Sequence, residues 1–198
     1  MKKTRSKKIN YRRMQSNKTR KNKSLKRVFS KEEYNSGDGM LTSVWGPPMW
    51  HFLHTMSFNY PINPTVEDKK NYSNFIYNLR YVLPCKYCRM NLKENFKKKP
   101  LTLDTMECRE TFSRYIYDLH EHINTMLNKK SGLSYEDVQE RYEHFRARCL
   151  ANQPVPKHKK GCTEPLYGKK SKCIINIVPQ EDKTATFQMD EKCIKKRE

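Results

Sequence analysis

Three times along this chain a short capping signal stands ahead of apolar residues spaced in threes and fours. Thr65-x-x-Asp68, Asp104-x-x-Glu107 and Ser134-x-x-Asp137 each pair a side chain that can accept from free helix N–H groups with an acid three residues on. The first precedes Tyr72, Phe75, Ile76, Leu79, Val82 and Leu83; the second precedes Phe112, Tyr115, Ile116, Leu119, Ile123, Met126 and Leu127. The third precedes a shorter stripe of Tyr135, Val138, Tyr142 and Phe145. Steps of three and four place such residues on one face of a helix, and a helix with one apolar face must bury it against others. With a segment at about 43–60 and another opening at Cys85, this predicts an all-α bundle of five helices joined by short connections.

The bundle accounts for only part of the 198 residues. Mean hydropathy is −1.02 and the hydrophobic fraction 35%, so much of the length is surface or unstructured. The net charge of +20 is unevenly spread: residues 1–30 carry thirteen lysines and arginines and no acid. Residues 1–38 therefore read as a disordered basic arm, a solvated tail or a weak, non-specific tether through residues 1–31 to nucleic acid or an acidic surface. Within residues 1–31, Tyr11 and Phe29 are the aromatics available for base stacking. Residues 39–150 form the helical domain. Residues 151–198 follow a Pro- and Lys-rich linker at 153–161 as a short irregular tail with Cys162, Cys173 and Cys193 and a strand candidate at Ile174–Val178. No stretch approaches the ~18 apolar residues of a membrane span, and no apolar run follows the basic start, so neither a membrane anchor nor a secretory signal is expected. Mitochondrial or nuclear targeting by the arm is a minor alternative.

Chemistry concentrates at Pro84-Cys85-Lys86-Tyr87-Cys88. Proline pre-sets a helix entry, and two intervening residues let the sulfurs meet at the first turn, where free N–H groups and the helix dipole favour a thiolate. Such a C-x-x-C reads equally as a redox dithiol or as half of a zinc site. Structural zinc sites come as two close ligand pairs, and the remaining candidates, Cys108, His120 and His122, are scattered, so no metal site is expected. Seven cysteines leave at least one unpaired within the chain. Trp50 and His54 stand one helical turn apart, with Tyr60 beyond them. His120 and Asn124 likewise share a helix face, and Lys129 and Lys130 follow. Rings and polar groups followed by cations suit a planar heterocycle bearing phosphates, although a core stripe is the more ordinary reading of Trp50, His54 and Tyr60, and a structural histidine that of His120 alone. With six glycines and no G-x-G-x-x-G, a Rossmann fold is not indicated.

Taken together, Gly46, Trp50, Leu53, His54, Tyr60 and Pro61, then Pro84, Cys85 and Cys88, then Leu119, His120, Ile123, Asn124 and Lys129, resemble the Erv/ALR family of FAD-linked sulfhydryl oxidases over about residues 40–150. The run around Arg109–Asn124 and the cysteine-bearing tail look most like members encoded by large DNA viruses. The resemblance implies a five-helix FAD-binding domain, usually a homodimer. Trp50, His54 and Tyr60 would line the flavin and its adenine half, His120 and Asn124 would face the adenine, and Lys129 and Lys130 would approach the phosphates. Gly46 belongs to the same motif, Arg109 falls where the family often has an arginine, and Tyr142 replaces a tryptophan. Cys85 would be the outer sulfur that exchanges with substrate thiols, and Cys88 the one nearer the flavin.

The activity so implied is oxidation of protein dithiols with O2 as acceptor and hydrogen peroxide as product, in host cytoplasm or virion, for virion-protein disulfides. The runner-up is a non-catalytic basic virion protein that binds zinc or nucleic acid. Two departures from the family stand out. Glu121 replaces an asparagine, and the structural disulfide of cellular members falls at Tyr117 and Tyr135, where a packed tyrosine pair could substitute. No second C-x-x-C is present. Cys108 reads as a buried free thiol; Cys149, Cys162, Cys173 and Cys193 could pair structurally or supply a shuttle, with structural pairing expected among Cys149, Cys162 and Cys173.

Overall fold

The computed structural model describes residues 28–149, 161–179, 181–182 and 188–194. The chain divides into two units, residues 1–36 and 37–198. In the first, residues 1–27 lie outside the described residues, but the end of the arm is helical rather than irregular. Ser30 caps α1 (Lys31–Asn35) in a box with Glu33, and Phe29 stacks on Tyr34. Ser-x-x-Glu is a complete N-terminus signal, and one turn forms on it without burying a residue.

In the second unit the expected helices are present. They are α2 (Thr42–Phe58), α3 (Val66–Val82), α4 (Lys86–Lys98), α5 (Arg109–Met126) and α6 (Tyr135–Glu143). Thr65 and Ser134 cap α3 and α6 in reciprocal boxes with Asp68 and Asp137. The third signal behaves differently. Asp104 begins a single 3-10 turn (Asp104–Met106), and α5 starts five residues later with Cys108 as its N-cap. Thr111 supplies the reciprocal contact there, its hydroxyl accepting from Cys108 N–H at 3.1 Å.

The long α5 packs on α2, on α6 and on the 3-10 turn, while α3 pairs with α4. Between them lies a core of Leu53, Tyr60, Ile76, Leu79, Leu92, Phe96, Leu101, Met106, Phe112, Tyr115, Ile116 and Leu119. A second cluster of Phe58, Tyr135 and Val138 joins α2 to α6, flanked by Tyr117 and Tyr142. The expected stripes are buried only at their centres. Phe75, Val82, Met126 and Leu127 are exposed, because they lie toward the ends of α3 and α5 or at the stripe's edge, where no neighbouring helix covers them.

α2 carries Pro47 and Pro48 inside its span. Each lacks the N–H that would bond the carbonyl four residues back, at Ser43 and Val44, which sets the first turn apart from the rest of the helix.

The tail departs from expectation. Residues 174–178 are irregular and exposed rather than a strand. A two-stranded antiparallel ladder forms elsewhere, β1 (Ala147–Cys149) with β2 (Cys162–Pro165). It is fastened to the bundle by Arg146, which donates to the Phe58 carbonyl at 2.6 Å and forks onto Glu143, while Leu166 N–H donates to Arg146 O at 2.7 Å. Among the described residues no helix is long and apolar enough to cross a membrane.

Candidate functional site

Pro84 ends the α3–α4 connection, and Cys85, extended at φ −152°, becomes the N-cap of α4. Cys85 and Cys88 are disulfide-bonded with Cα atoms 5.2 Å apart, and Cys88 N–H donates to Cys85 Sγ at 3.2 Å. The cap residue is therefore itself one of the two sulfurs. Both cysteines are half-buried, beside exposed Tyr87 and Met90.

The segment ahead of α2 lies along this loop. Gly39 bridges Cys85 in antiparallel fashion, and Met40 N–H donates to Pro84 O at 2.7 Å. Gly39 has φ +103°, and a Cβ there would meet Pro84 O at 2.6 Å and Cys85 Cα at 3.0 Å, so this close approach requires glycine. Thr42, the first residue of α2, brings its hydroxyl to 3.7 Å from Cys88 Sγ.

Four, eight and twelve residues beyond Thr42 come Gly46, Trp50 and His54, a row that winds slowly around α2. Gly46 is buried and adds no side chain to the row. Trp50 stacks face to face on His120 of α5, centroids 3.9 Å apart and planes 7° from parallel. His54 Nε2 and His120 Nδ1 are hydrogen-bonded at 3.0 Å, which requires one imidazole to donate and the other to accept. Tyr142 of α6 stacks on His54 and on Phe58, and its hydroxyl lies 3.3 Å from His51 Nδ1. Three helices thus contribute to one wall of rings.

Burial dominates the electrostatics of that wall. His54 is 4% exposed, and desolvation, followed by His120 and His51, lowers its pKa to about 3. Burial lowers His120 to about 4, with Lys129 acting the same way and Glu121 opposing. Both rings are neutral near pH 7. His54 Nδ1 is buried with no hydrogen-bond partner among the described residues, and the Tyr142 hydroxyl is pushed up to about 12 by burial.

Other predicted residues stand differently. Tyr60 is fully buried in the main core, between Tyr72 and Phe112, and its hydroxyl donates to Met106 O at 2.9 Å. It is thus a core residue apart from the ring wall, because the chain turns inward after α2 ends. Arg109 Nε donates to the Tyr60 carbonyl at 2.6 Å, which fixes α5's first residue to that turn. Asn124 donates to Glu121 Oε1 at 2.8 Å, so the departing residue at 121 occupies the asparagine's amide. Lys129 N–H donates to the Asn124 carbonyl at 2.8 Å, and Lys129 and Lys130 are exposed just past the end of α5.

A family model described as the Erv1 / Alr family matches residues 47–143. A probable FAD-linked sulfhydryl oxidase of Acanthamoeba polyphaga mimivirus is 40% identical over 104 residues, covering 52% of this chain and 72% of the relative. An FAD-linked sulfhydryl oxidase of African swine fever virus is 31% identical over 99 residues, covering 50% of this chain and 80% of the relative. The chain belongs to the Erv1/Alr family. The solved yeast Erv1 core spans 61% of this chain and 95% of its own length, at 21% identity and a TM-score of 0.48.

As an Erv1/Alr member the chain has tyrosines at 117 and 135, and these face each other edge to face with centroids 5.9 Å apart. Tyr117 also donates to Leu133 O at 2.8 Å, and Tyr135 shares a 2.8 Å hydrogen bond with Ser113. A ring contact and one hydrogen bond thus join α5 to α6, and a second hydrogen bond ties α5 to the connection just before α6. Cys108 is a free, partly buried thiol, lowered in pKa chiefly by the Thr111 backbone N–H. Cys173 is a free, exposed thiol rather than a member of a structural pair, and Cys193 is also free. Cys149 and Cys162 are direct register partners across the β1–β2 ladder. His51, Phe58 and Thr42 join the site without a spacing signal of their own, and Phe145 joins it from the third apolar stripe; Thr42 is legible only as the residue four before Gly46.

Proposed function

We propose that this chain is an FAD-linked sulfhydryl oxidase that converts protein dithiols to disulfides with O2 as acceptor and hydrogen peroxide as product. The observation that carries this reading is a disulfide at the start of α4, held against the first residue of α2, with a wall of neutral rings farther along the same helix. The residues fit the cofactor that the viral relatives' names carry. Trp50, His54, His120 and Tyr142 offer flat apolar faces, and the unpartnered Nδ1 of His54 offers a buried polar contact to a heterocycle. Gly46 leaves room in the row, and Lys129 and Lys130 supply cations for a diphosphate. Asn124 stands one turn beyond His120 on α5, its amide held by Glu121. Tyr60 and Arg109 support this site from the core side rather than as contacts.

The reaction at the chain's own atoms is thiol–disulfide exchange. A substrate thiolate attacks Cys85 Sγ, the bond to Cys88 breaks, and Cys88 leaves as a thiolate. The substrate's second thiol then displaces Cys85, so that the substrate gains a disulfide and the pair becomes a dithiol with two electrons and two protons transferred. The chemistry FAD supplies is re-oxidation of that dithiol with O2 as final acceptor. A second copy is the expected partner; Phe52 and Phe75 meet across α2 and α3 while still half-exposed, which suits an interface. Substrates are thiol proteins of the virion, and the site of action is host cytoplasm or virion. The basic arm adds a weak, salt-sensitive contact to polyanions.

A visible spectrum of the purified chain tests this reading. The expected result is a flavin band that bleaches with dithiothreitol under argon and returns with air. A colourless protein, especially one that releases stoichiometric zinc, would instead favour a basic zinc- or nucleic-acid-binding protein.

A further inference from the structure

We propose that Thr42 is the hydrogen-bond donor that stabilises Cys88 as the leaving thiolate, and so directs substrate attack to Cys85. The inference rests on the reading of Cys85–Cys88 as an exchanging pair. Thr42 Oγ1 stands 3.7 Å from Cys88 Sγ. A sulfur in a disulfide carries no hydrogen, so in the bonded state the hydroxyl must donate and the sulfur accept. When the S–S bond breaks, the electron pair stays on Cys88 Sγ and the same O–H meets a full negative charge, so the contact strengthens as the bond cleaves.

Something must offset the effect of α4 on its own cap. Cys85 is the N-cap and its sulfur already accepts Cys88 N–H at 3.2 Å, an arrangement that favours a thiolate at Cys85. Were α4 the only influence, Cys85 would be the better leaving group, and attack would fall on Cys88. Thr42 comes from a different helix and acts on the other sulfur. Its position is well determined. Met40 N–H grips Pro84 O, the Trp45 indole N–H donates to Met40 O at 3.1 Å, and Gly39 allows the strand-like approach to Cys85. The segment 39–45 therefore places the hydroxyl at the start of α2 against the sulfur that is to leave.

The electron and proton balance is complete with groups named here. The substrate's first thiolate forms the mixed disulfide with Cys85, Cys88 departs as a thiolate with Thr42 donating to it, and the substrate's second thiol releases Cys85. Cys88 takes up a proton from solvent when it returns to the thiol.

The test is site-resolved alkylation. The full chain is reduced with dithiothreitol, desalted under argon, and treated with iodoacetamide from about pH 5 to 10, with Cys85 and Cys88 adducts quantified by peptide mass spectrometry. Thr42→Val keeps the shape and removes the donor; Thr42→Ser keeps the donor. Expected in Thr42→Val is a Cys88 profile displaced to higher pH, with alkylation near pH 7 about five- to tenfold slower and Cys85 unmoved. Thr42→Ser should restore the Cys88 midpoint. Coincident Cys88 profiles in all three proteins, or Thr42→Ser behaving as Thr42→Val, would overturn the assignment. Aerobic oxidation of dithiothreitol by the wild-type chain is measured separately. Its absence would remove the oxidase reading, while a displaced Cys88 profile would still uphold the Thr42–Cys88 bond.

Discussion

The two ends of α2 are built in opposite ways. At its start Leu41, Thr42 and Val44 are exposed, no side chain caps the helix, and two prolines separate the first turn from the remainder. At its other end Leu53, His54, Ser57 and Phe58 are buried among rings from α5 and α6. The open end touches a disulfide that another protein can reach, and the closed end holds neutral imidazoles in a dry wall. A reaction that passes electrons from a macromolecule to a buried heterocycle needs both surfaces. One helix supplies them about 18 Å apart, at 1.5 Å rise per residue from Thr42 to His54.

Removing the chemistry from the open end should have the largest effect with the least structural cost. Cys88→Ala is expected to lower dithiol oxidation at least about a thousandfold while the flavin absorbance of the purified protein is kept. Full activity in this variant would break the assignment of the open end. At the closed end the expected signature is pH-dependent stability. His54 and His120, at about 3 and about 4, both lie below the ordinary imidazole value of 6.5, so the unfolded chain takes up protons first. Their contribution is fully present above about pH 6.5 and is lost as pH falls through the window down to 4 and 3. Between pH 7 and 4.5 the loss should reach about 2–4 kcal/mol, read as a falling Tm, and His54→Asn should flatten that slope. An unchanged slope in His54→Asn would mean that the closed end is wetter than its rings imply.

Gly39→Ala sharpens the comparison from the open side. A Cβ 2.6 Å from Pro84 O, at positive φ, must displace the segment that holds the disulfide loop. A loss of about 1–3 kcal/mol in denaturant unfolding is expected, with slower thiol exchange. Tyr60→Phe, just past the closed end, removes the donor to Met106 O and should cost about 1–2 kcal/mol without altering the flavin band; a lost band would return Tyr60 to the cofactor wall. The smallest effect belongs to a place touching neither end. Thr65→Ala deletes one capping box and should cost about 1 kcal/mol by thermal unfolding with activity unchanged.

Much of this molecule was legible before any coordinates, and the legible parts share a property. Stripes in threes and fours, the boxes at Thr65 and Ser134, and the Pro-Cys entry into α4 are relations between residues within one or two turns, and each helix appears where they stand. The C-x-x-C, legible as a pair of sulfurs able to meet, is a disulfide. Misreadings arose where a local signal lacked tertiary support. Asp104-x-x-Glu107 yielded one 3-10 turn because Cys108 and Thr111 form a competing cap nearer the apolar run. Ile174–Val178 has strand-forming residues but no neighbouring strand to pair with among the described residues, and the ladder formed instead between residues 147–149 and 162–165.

What the sequence alone determined is the five helices of the bundle, the caps at Thr65 and Ser134, a closely spaced cysteine pair at a helix entry and the family those residues resemble. Only the tertiary structure decided that Thr42 meets Cys88 across 46 positions and that Trp50 lies flat on His120. It also decided that His54 bonds His120 across 66 positions, and that Tyr60 turns into the core instead of joining them. The physical reason is range. Helix formation follows from hydrogen bonds between residues four apart, whereas these contacts depend on how helices cross and how deeply each is buried, which no local spacing records.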